Sequence, residues 1–429
     1  MSKPVFASIV LLNWVLIMSV SSDQAIAQRP GINQDESKVP QFTLPELLVC
    51  KDGTKIDSAG TWESKRRPEV LQLFADHVYG NFPDRKLEIE FTSGPQWEIF
   101  EGQAIRKEVT MHLGAEKQIA ATILLTIPKS DNPVPCFIGY NFNGNHSTTA
   151  DSKVTIPTSW VRNNKKLGGN NNQAAAKDRG SSASRWPYKE IVEKGYAVAT
   201  IYYGDIDPDF DDQFQNGIHP LFYGEGQTKP GKKQWGSIGA WAWAISRALD
   251  YLQTDDAIDA SHVAVIGHSR LGKTSLWAGA SDPRFWITIS NDSGCGGAAL
   301  HRRKFGETVK RINSNFPHWF CDQFVEYNDR ENEIPVDQHM LMALMAPRPV
   351  YVASASGDLW ADPKGEYLSL ANADEVFALY EDAAMPGAQP GPDTPVTSGL
   401  RGYHLRTGKH DITLYDWMQY IQFADRHLQ

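Results

Sequence analysis

The chain has 429 residues, 41% of them hydrophobic, 11% aromatic and 13 of them tryptophan, so it can bury a large core and is not intrinsically disordered as a whole. Its net charge of −9 argues against nucleic acid as the main partner, because phosphate binding needs a basic face. Four cysteines in this length exclude a disulfide-dense scaffold.

Lys3 precedes an apolar run, and Asp23-Gln24-Ala25-Ile26-Ala27 follows it. Ala25 and Ala27 supply the small-x-small spacing of a signal-peptidase site. The run, about 16 residues long and interrupted by Asn13 and Trp14, is short for a span of about 20. Residues 1–27 therefore read as a cleaved signal peptide. The protein is expected to be secreted or periplasmic, with no membrane attachment after cleavage. Export permits disulfides, and Cys50, Cys136, Cys295 and Cys321 allow three full pairings among which the sequence does not choose. Cys136 lies in an apolar run and reads equally well as a buried thiol. Residues 28–45 are polar and Pro-containing, and read as a flexible leader.

From 46 onward the chain reads as one catalytic domain of alternating strands and helices. Hydrophobic runs at 119–127, 134–140 and 197–203 predict strands. The segment 141–187 between the last two is rich in Asn, Gly, Lys and Ser. Loops of that length are uncommon in compact domains and are usually functional or disordered. Ile238, Trp241, Ile245, Ala248 and Leu252 recur at three- and four-residue steps and predict a helix over 237–252. A buried strand at 263–267, a helix at 274–280, strands at 285–290 and 350–355, and a final amphipathic helix at 415–428 follow. Strands separated by helices imply a mostly parallel sheet covered on both faces.

The chemistry centres on Ser269. An apolar strand runs into Gly267-His268-Ser269 and a helix follows, which is the context of a nucleophile elbow. The pattern departs from Gly-x-Ser-x-Gly, since Leu271 holds the last glycine position and Gly272 comes one later. A serine that merely caps the helix is the alternative. A hydroxyl needs a base to become a useful nucleophile, and in α/β-hydrolases the chain order is Ser, acid, His. His410, just before the final helix, fits that order better than His404. Asp358 follows the strand at 350–355 and has the usual place of a triad acid. Asp292 follows the strand at 285–290 and is the second candidate.

An oxyanion needs preorganised donors. The Arg270 backbone N–H supplies one, and the loop with Asn141, Gly144 and Asn145, after the strand at 134–140, is placed to supply another. The Arg270 side chain adds a fixed positive charge. Arg270, Lys273, Arg302, Arg303, Lys304, Arg401, Arg406 and Lys409 crowd these loops. If they serve function, they imply a substrate with a carboxylate or dense hydroxyls. Trp186, Trp319 and Trp360 lie in loop contexts that suit sugar rings, and a core role fits each one singly just as well. No metal-ligand spacing appears, and neither a metal nor another cofactor is expected.

The run Gly267-His268-Ser269-Arg270-Leu271-Gly272-Lys273, followed by Asn291-Asp292-Ser293-Gly294, resembles carbohydrate esterase family 15, the glucuronoyl esterases. The likeness runs from Asn141-Phe142-Asn143-Gly144-Asn145-His146 to the C terminus. It includes Gly306-Glu307, Trp319, Asp358-Leu359-Trp360 and Gly408-Lys409-His410-Asp411. The resemblance implies an α/β-hydrolase that cleaves the ester between 4-O-methylglucuronate on xylan and lignin alcohols, acting as a monomer without a cofactor. It implies Ser269 as nucleophile, His410 as base and Arg270 as oxyanion stabiliser. It also implies Lys273, Glu307 and Trp360 as contacts to the uronate, with Trp319 in the same substrate-binding set. Many members carry Glu at the place of Asp292, and some bacterial members use an acid at the place of Asp358, so Asp358 is expected to be the main triad acid. Fungal members have a disulfide joining the residue before the nucleophile to the loop of the catalytic histidine. Here those places hold His268 and Asp411, which brings the pattern nearer the bacterial branch; insertions flank the site in that branch, and the resemblance makes 141–187 a candidate for one such insertion. Acetyl-xylan or pectin methyl esters, or carbohydrate binding without turnover, are the rival readings.

Overall fold

The computed structural model describes residues 1, 31–163 and 171–428. The signal-peptide reading of 1–27 lies outside these, apart from Met1. Among the described residues no helix is long and apolar enough to cross a membrane.

Ten strands form one sheet: β1 (Ile89–Ile99), β2 (Ala104–Leu113), β3 (Ile119–Pro128), β4 (Val134–Asn141), β5 (Ala197–Tyr202), β6 (Ile258–His268), β7 (Thr288–Asn291), β8 (Val350–Ala355), β9 (Val396–Ser398) and β10 (Arg401–Arg406). Their order is β1-β2-β3-β5-β4-β6-β7-β8-β10-β9. From β5 across to β10 every pairing is parallel, while β1, β2, β3 and β9 add antiparallel edges. The four longest α-helices among the described residues are α1 (Ser237–Leu252), α2 (Arg270–Ser281), α3 (Pro363–Ala371) and α4 (Leu414–Asp425).

Both faces of the sheet are covered, as the unbroken apolar runs of the central strands require. Successive side chains of a strand point to opposite faces. Ile138, Ala199 and Val265 accordingly join one core with Trp241 and Ile245 of α1 and Trp277 of α2. Their neighbours Phe137, Val198 and Ala264 join a second core with Trp417, Tyr420 and Ile421 of α4. Each large apolar side chain so buried stabilises the fold by roughly 1.5–3 kcal/mol. The same pattern directs the carboxyl ends of β4 to β8 to one edge, where the intervening loops gather.

The sequence pattern anticipates the central strands and α1 closely. It misses β1 and β2, because β1 is a largely exposed edge strand whose register shifts between Ser93 and Gln96, around Gly94-Pro95. It misses β10, whose polar Arg401, His404 and Arg406 are all buried against internal partners. Helix α2 begins at Arg270, four residues before the expected start. The segment 28–45, read as a flexible leader, is tied down from Asn33 onward. Asn33 accepts a hydrogen bond from the Gly306 amide, and Glu36 pairs with Arg303 and Lys364 at 2.9 Å each. All four cysteines are free thiols, and Cys136 is buried as the apolar run suggested.

The turn from β6 into α2 is the sharpest feature near the loops. A Cβ on Gly267 would lie 1.9 Å from the Leu271 carbonyl oxygen. That contact is with backbone, so it cannot be relieved by a rotamer change. Gly267→Ala should therefore destabilise the fold by ~3 kcal/mol or more, read as a lowered Tm or loss of soluble protein. A wild-type Tm would contradict this reading of the turn.

Candidate active site

Ser269 sits between β6 and α2 with φ 59° and ψ −127°. A non-glycine residue there stores roughly 1–3 kcal/mol of strain. The backbone is held by hydrogen bonds from the Ser269 amide to the Asn291 carbonyl and from the Gly272 amide to the Ser269 carbonyl, each 2.9 Å. The Ser269 side chain makes no capping bond to α2, so the helix-cap alternative does not hold. Its hydroxyl is half-buried and bonded to none of the described residues.

His410 stands in the loop between β10 and α4. Its Nδ1 lies 2.6 Å from Asp358 Oδ2, and Asp358 is buried at the carboxyl end of β8. Since an ionised carboxylate only accepts, this bond fixes the imidazole with Nε2 free to take a proton. Arginines on two sides help to hold the loop. Arg406 donates to the carbonyls of Lys409 and Asp411, both at 2.9 Å, while Asp416 holds the Arg406 Nε. Arg185 pairs with Asp411 at 2.6 Å. The His268 ring lies 4.5 Å from the His410 ring. Burial, then the neighbouring His410, pushes the His268 pKa well below its ordinary value, so His268 stays neutral. His404, the competing histidine, is fully buried in β10 and bonded to Asp416 and Tyr351.

Asp292 reaches the same histidine from the β7 loop. Ligand atoms of Asp292, Asp358 and His410 lie within 4.8 Å of one another, a grouping a cation could also use. The 2.6 Å bond already pairs His410 with Asp358. Asp292 is fully buried, accepts one bond from the Asp411 amide at 3.3 Å, and leaves Oδ1 without a partner among the described residues. Burial, together with the charges of Glu366, Asp358 and Asp416, raises its pKa well above the usual carboxylate range despite Arg406. Glu366, from α3, underlies this loop. It accepts from the Gly294 amide at 2.9 Å and is bonded to Ser354 at 2.6 Å, and burial pushes its pKa up to about 8.

On the other side of Ser269, the Arg270 guanidinium pairs with Asp209 and lies over the faces of Trp319 and Phe142, at 5.0 and 5.5 Å. Lys273 is buried, with its ammonium donating to the Ser293 carbonyl. Burial lowers its pKa, and the charge of Glu307 opposes the shift. Glu307 is buried too, its pKa raised by burial and lowered by Lys273, and Trp360 hydrogen-bonds to it. Trp360 is half-buried. Trp319 and Trp186, read as possible sugar platforms, are buried at 3% and 8% exposure. Trp319 stacks on Phe316 at 3.8 Å and gives its indole N–H to Asp209, behind Arg270 rather than in front of it. In the β4 loop, Asn141 Oδ1 accepts the Gly144 amide at 2.8 Å, and its amide group donates to Asn145 Oδ1 at 2.7 Å.

The crowd of basic residues resolves into two kinds. Arg302, Arg303, Lys304, Arg401 and Arg406 are absorbed by Asp337, Asp362, Glu331, Asp374 and Asp416. Those five stabilise loops and do not present charge to a ligand. Lys409 is exposed. Arg270 and Lys273 are the two that flank the serine. The sequence reading missed Asp209, His318, Arg185 and Glu366. Asp209 carried a signal, since Asp205-Ile206-Asp207-Pro208-Asp209 follows a strand at its carboxyl end, where sites form in open α/β sheets. The other three carry none, because each acts through a distant partner.

A serine on a strained strand-turn-helix, followed in the chain by a buried aspartate and the histidine it orients, on this sheet, defines a serine hydrolase of the α/β-hydrolase fold. A family model described as "Glucuronyl esterase, fungi" matches residues 190–380. The carbohydrate esterase MZ0003 of an unknown prokaryotic organism is 52% identical over 405 residues, covering 94% of this chain and 93% of that protein. Among solved structures, a promiscuous CE15 esterase from a marine bacterial metagenome superposes with a TM-score of 0.87 at 52% identity, over 93% of this chain and 100% of that one. The glucuronoyl esterase from Solibacter usitatus gives 0.86 at 44% identity, over 92% and 100%. The chain belongs to carbohydrate esterase family 15 and is a carboxylic ester hydrolase.

Glu366 generates a pH prediction. Its folded pKa of about 8 lies above the unfolded value near 4.3, so the folded state binds the extra proton between those limits. Stability contributed by this group is complete below about pH 4 and is lost as pH rises to about 8. Glu366→Gln keeps the neutral form at every pH. The wild-type Tm should therefore fall relative to the variant's between about pH 5 and 8. A constant difference would contradict the assignment.

Proposed function

We propose that the protein hydrolyses the ester between 4-O-methylglucuronate on xylan and lignin alcohols by two-step acyl transfer, as a secreted or periplasmic monomer. The observation that carries the mechanism is the 2.6 Å bond between His410 Nδ1 and Asp358, in the loop beside the Ser269 turn. The observation that carries the substrate is the pair Arg270 and Lys273, on the first turn of α2 directly after Ser269, which share their surroundings with Glu307 and Trp360. Cations with an adjacent carboxylate and an indole suit a hydroxylated, electron-poor uronoyl ring.

His410 Nε2 takes the proton from Ser269 Oγ as the hydroxyl attacks the uronoyl carbonyl. Negative charge on the carbonyl oxygen falls to the Arg270 guanidinium, the Arg270 backbone N–H and a backbone donor in the β4 loop. Gly144 already gives its amide to the Asn141 side chain, so another amide of the 141–145 loop supplies that donor. His410 then protonates the leaving alcohol. Water activated by His410 releases the uronate and restores Ser269. Asp358 balances the imidazolium in both steps. Asp292 is less suited to that task, because burial and the charges of Glu366, Asp358 and Asp416 shift it toward its neutral form.

Ser269→Ala should abolish turnover of a glucuronate ester while the folded state persists; substantial residual hydrolysis would remove Ser269 from its role. Asp358→Asn should lower kcat by ~10³-fold or more, and Asp292→Asn by ~10-fold or less. The reverse order in steady-state kinetics would transfer the triad acid to Asp292.

A further inference from the structure

The loop after β5 carries Asp209, whose side chain has no exposed surface. Five donors converge on it from four parts of the chain. Its Oδ2 accepts from the Tyr203 hydroxyl at 2.8 Å, from Arg162 Nη2 at 3.1 Å and from Arg270 Nη1. Its Oδ1 accepts from His318 Nε2 at 3.0 Å and from the Trp319 indole at 2.8 Å. A carboxylate offers about four lone-pair sites, so this one is saturated and has no freedom to swing. Burial alone would favour the neutral acid. The hydrogen bond from His318 and the charge of Arg270 outweigh it and hold the carboxyl below the usual range.

Arg270 needs such a partner. It is the first residue of α2, where a cation opposes the helix dipole, and its side chain is only one-fifth exposed. The aromatic faces of Trp319, Phe142 and Phe316 lie 5.0, 5.5 and 5.8 Å from its Cζ. Such faces attract a guanidinium but do not set its rotation. A hydrogen bond does. One Nη is committed to Asp209, while the buried Nε has no partner among the described residues. An unpaired buried donor beside the nucleophile is costly unless something in the reaction cycle uses it.

We propose that Asp209 is the positioning residue of the oxyanion site. By fixing one Nη of Arg270, it presets the other N–H groups toward the oxygen on which negative charge develops. Arg162 shares Oδ2 and also donates to the Asp209 carbonyl at 2.7 Å, so the segment after β4 is tied to the same anchor. This inference rests on the reading of Arg270 as an oxyanion stabiliser. It adds that the stabiliser is aimed by a carboxylate absent from the triad and reached from a different strand.

The test is a double-mutant cycle on a glucuronate ester, with kcat and KM measured separately and folding checked by near-UV circular dichroism. Arg270→Met should lower kcat by ~10²–10³-fold. Asp209→Asn should lower kcat by ~10-fold or more, with KM changed less than about twofold, because the lost interaction acts in the transition state. The double variant should be no slower than Arg270→Met alone. Equal proportional losses in the wild-type and Arg270→Met backgrounds, or an unchanged kcat in Asp209→Asn, would overturn the proposal. If Asp209→Asn does not fold, Tyr203→Phe removes one anchoring bond and keeps the ring; its loss of kcat should likewise vanish in the Arg270→Met background, and persistence there would overturn the proposal. An unchanged kcat in Arg270→Met itself would overturn the reading of Arg270, and the positioning role with it.

Discussion

The site depends on one steric constraint, the close approach of β6 and α2 at Gly267. With no room for a Cβ beside the Leu271 carbonyl, the chain must turn within a single residue, and that residue is Ser269. The left-handed backbone this imposes keeps the hydroxyl away from the amides of α2. Everything else in the site is positioned relative to that forced exposure. Asp292 leaves the end of β7, Asp358 the end of β8 and His410 the end of β10, and their parallel register brings the three together.

Burial then sorts the charges. Asp358 is paired with His410 and can balance an imidazolium, whereas Asp292 and Glu366 lie behind it among like charges and are driven toward their neutral forms. Two carboxylates near one histidine thus have different electrostatic characters, set by their surroundings rather than their residue type. Asp209 is as deeply buried as Asp292 but has two arginines and three further donors, so its shift runs the other way. The His410 loop is secured by Arg406 beneath and Arg185 beside it.

Much of this was legible in the sequence. The central strands announced themselves as unbroken apolar runs, α1 by its spacing, and the Ser269 turn by a glycine between strand and helix. Chain order favoured His410 over His404, and His404 is committed to Asp416 inside β10. What could not be read were partnerships across long separations. Arg302, Arg303, Lys304, Arg401 and Arg406 looked like a basic surface because their acidic partners lie ten or more residues away. Trp319 looked like a sugar platform because its burial depends on Asp209 and Phe316. The edge strand β1 was hidden by its exposed, Gly-Pro-interrupted pattern, and the anchoring of Glu36 by its distant partner Arg303.

The central claim is that this serine hydrolase is built for a uronoyl ester. It is tested most directly by comparing kcat/KM for the benzyl ester of glucuronic acid with that for benzyl acetate, which keeps the leaving alcohol constant. The account predicts a preference for the uronate of at least ~10²-fold, because buried donors around Arg270 and Lys273 are left unused by an acetyl group. Equal rates, or faster hydrolysis of the acetate, would contradict it.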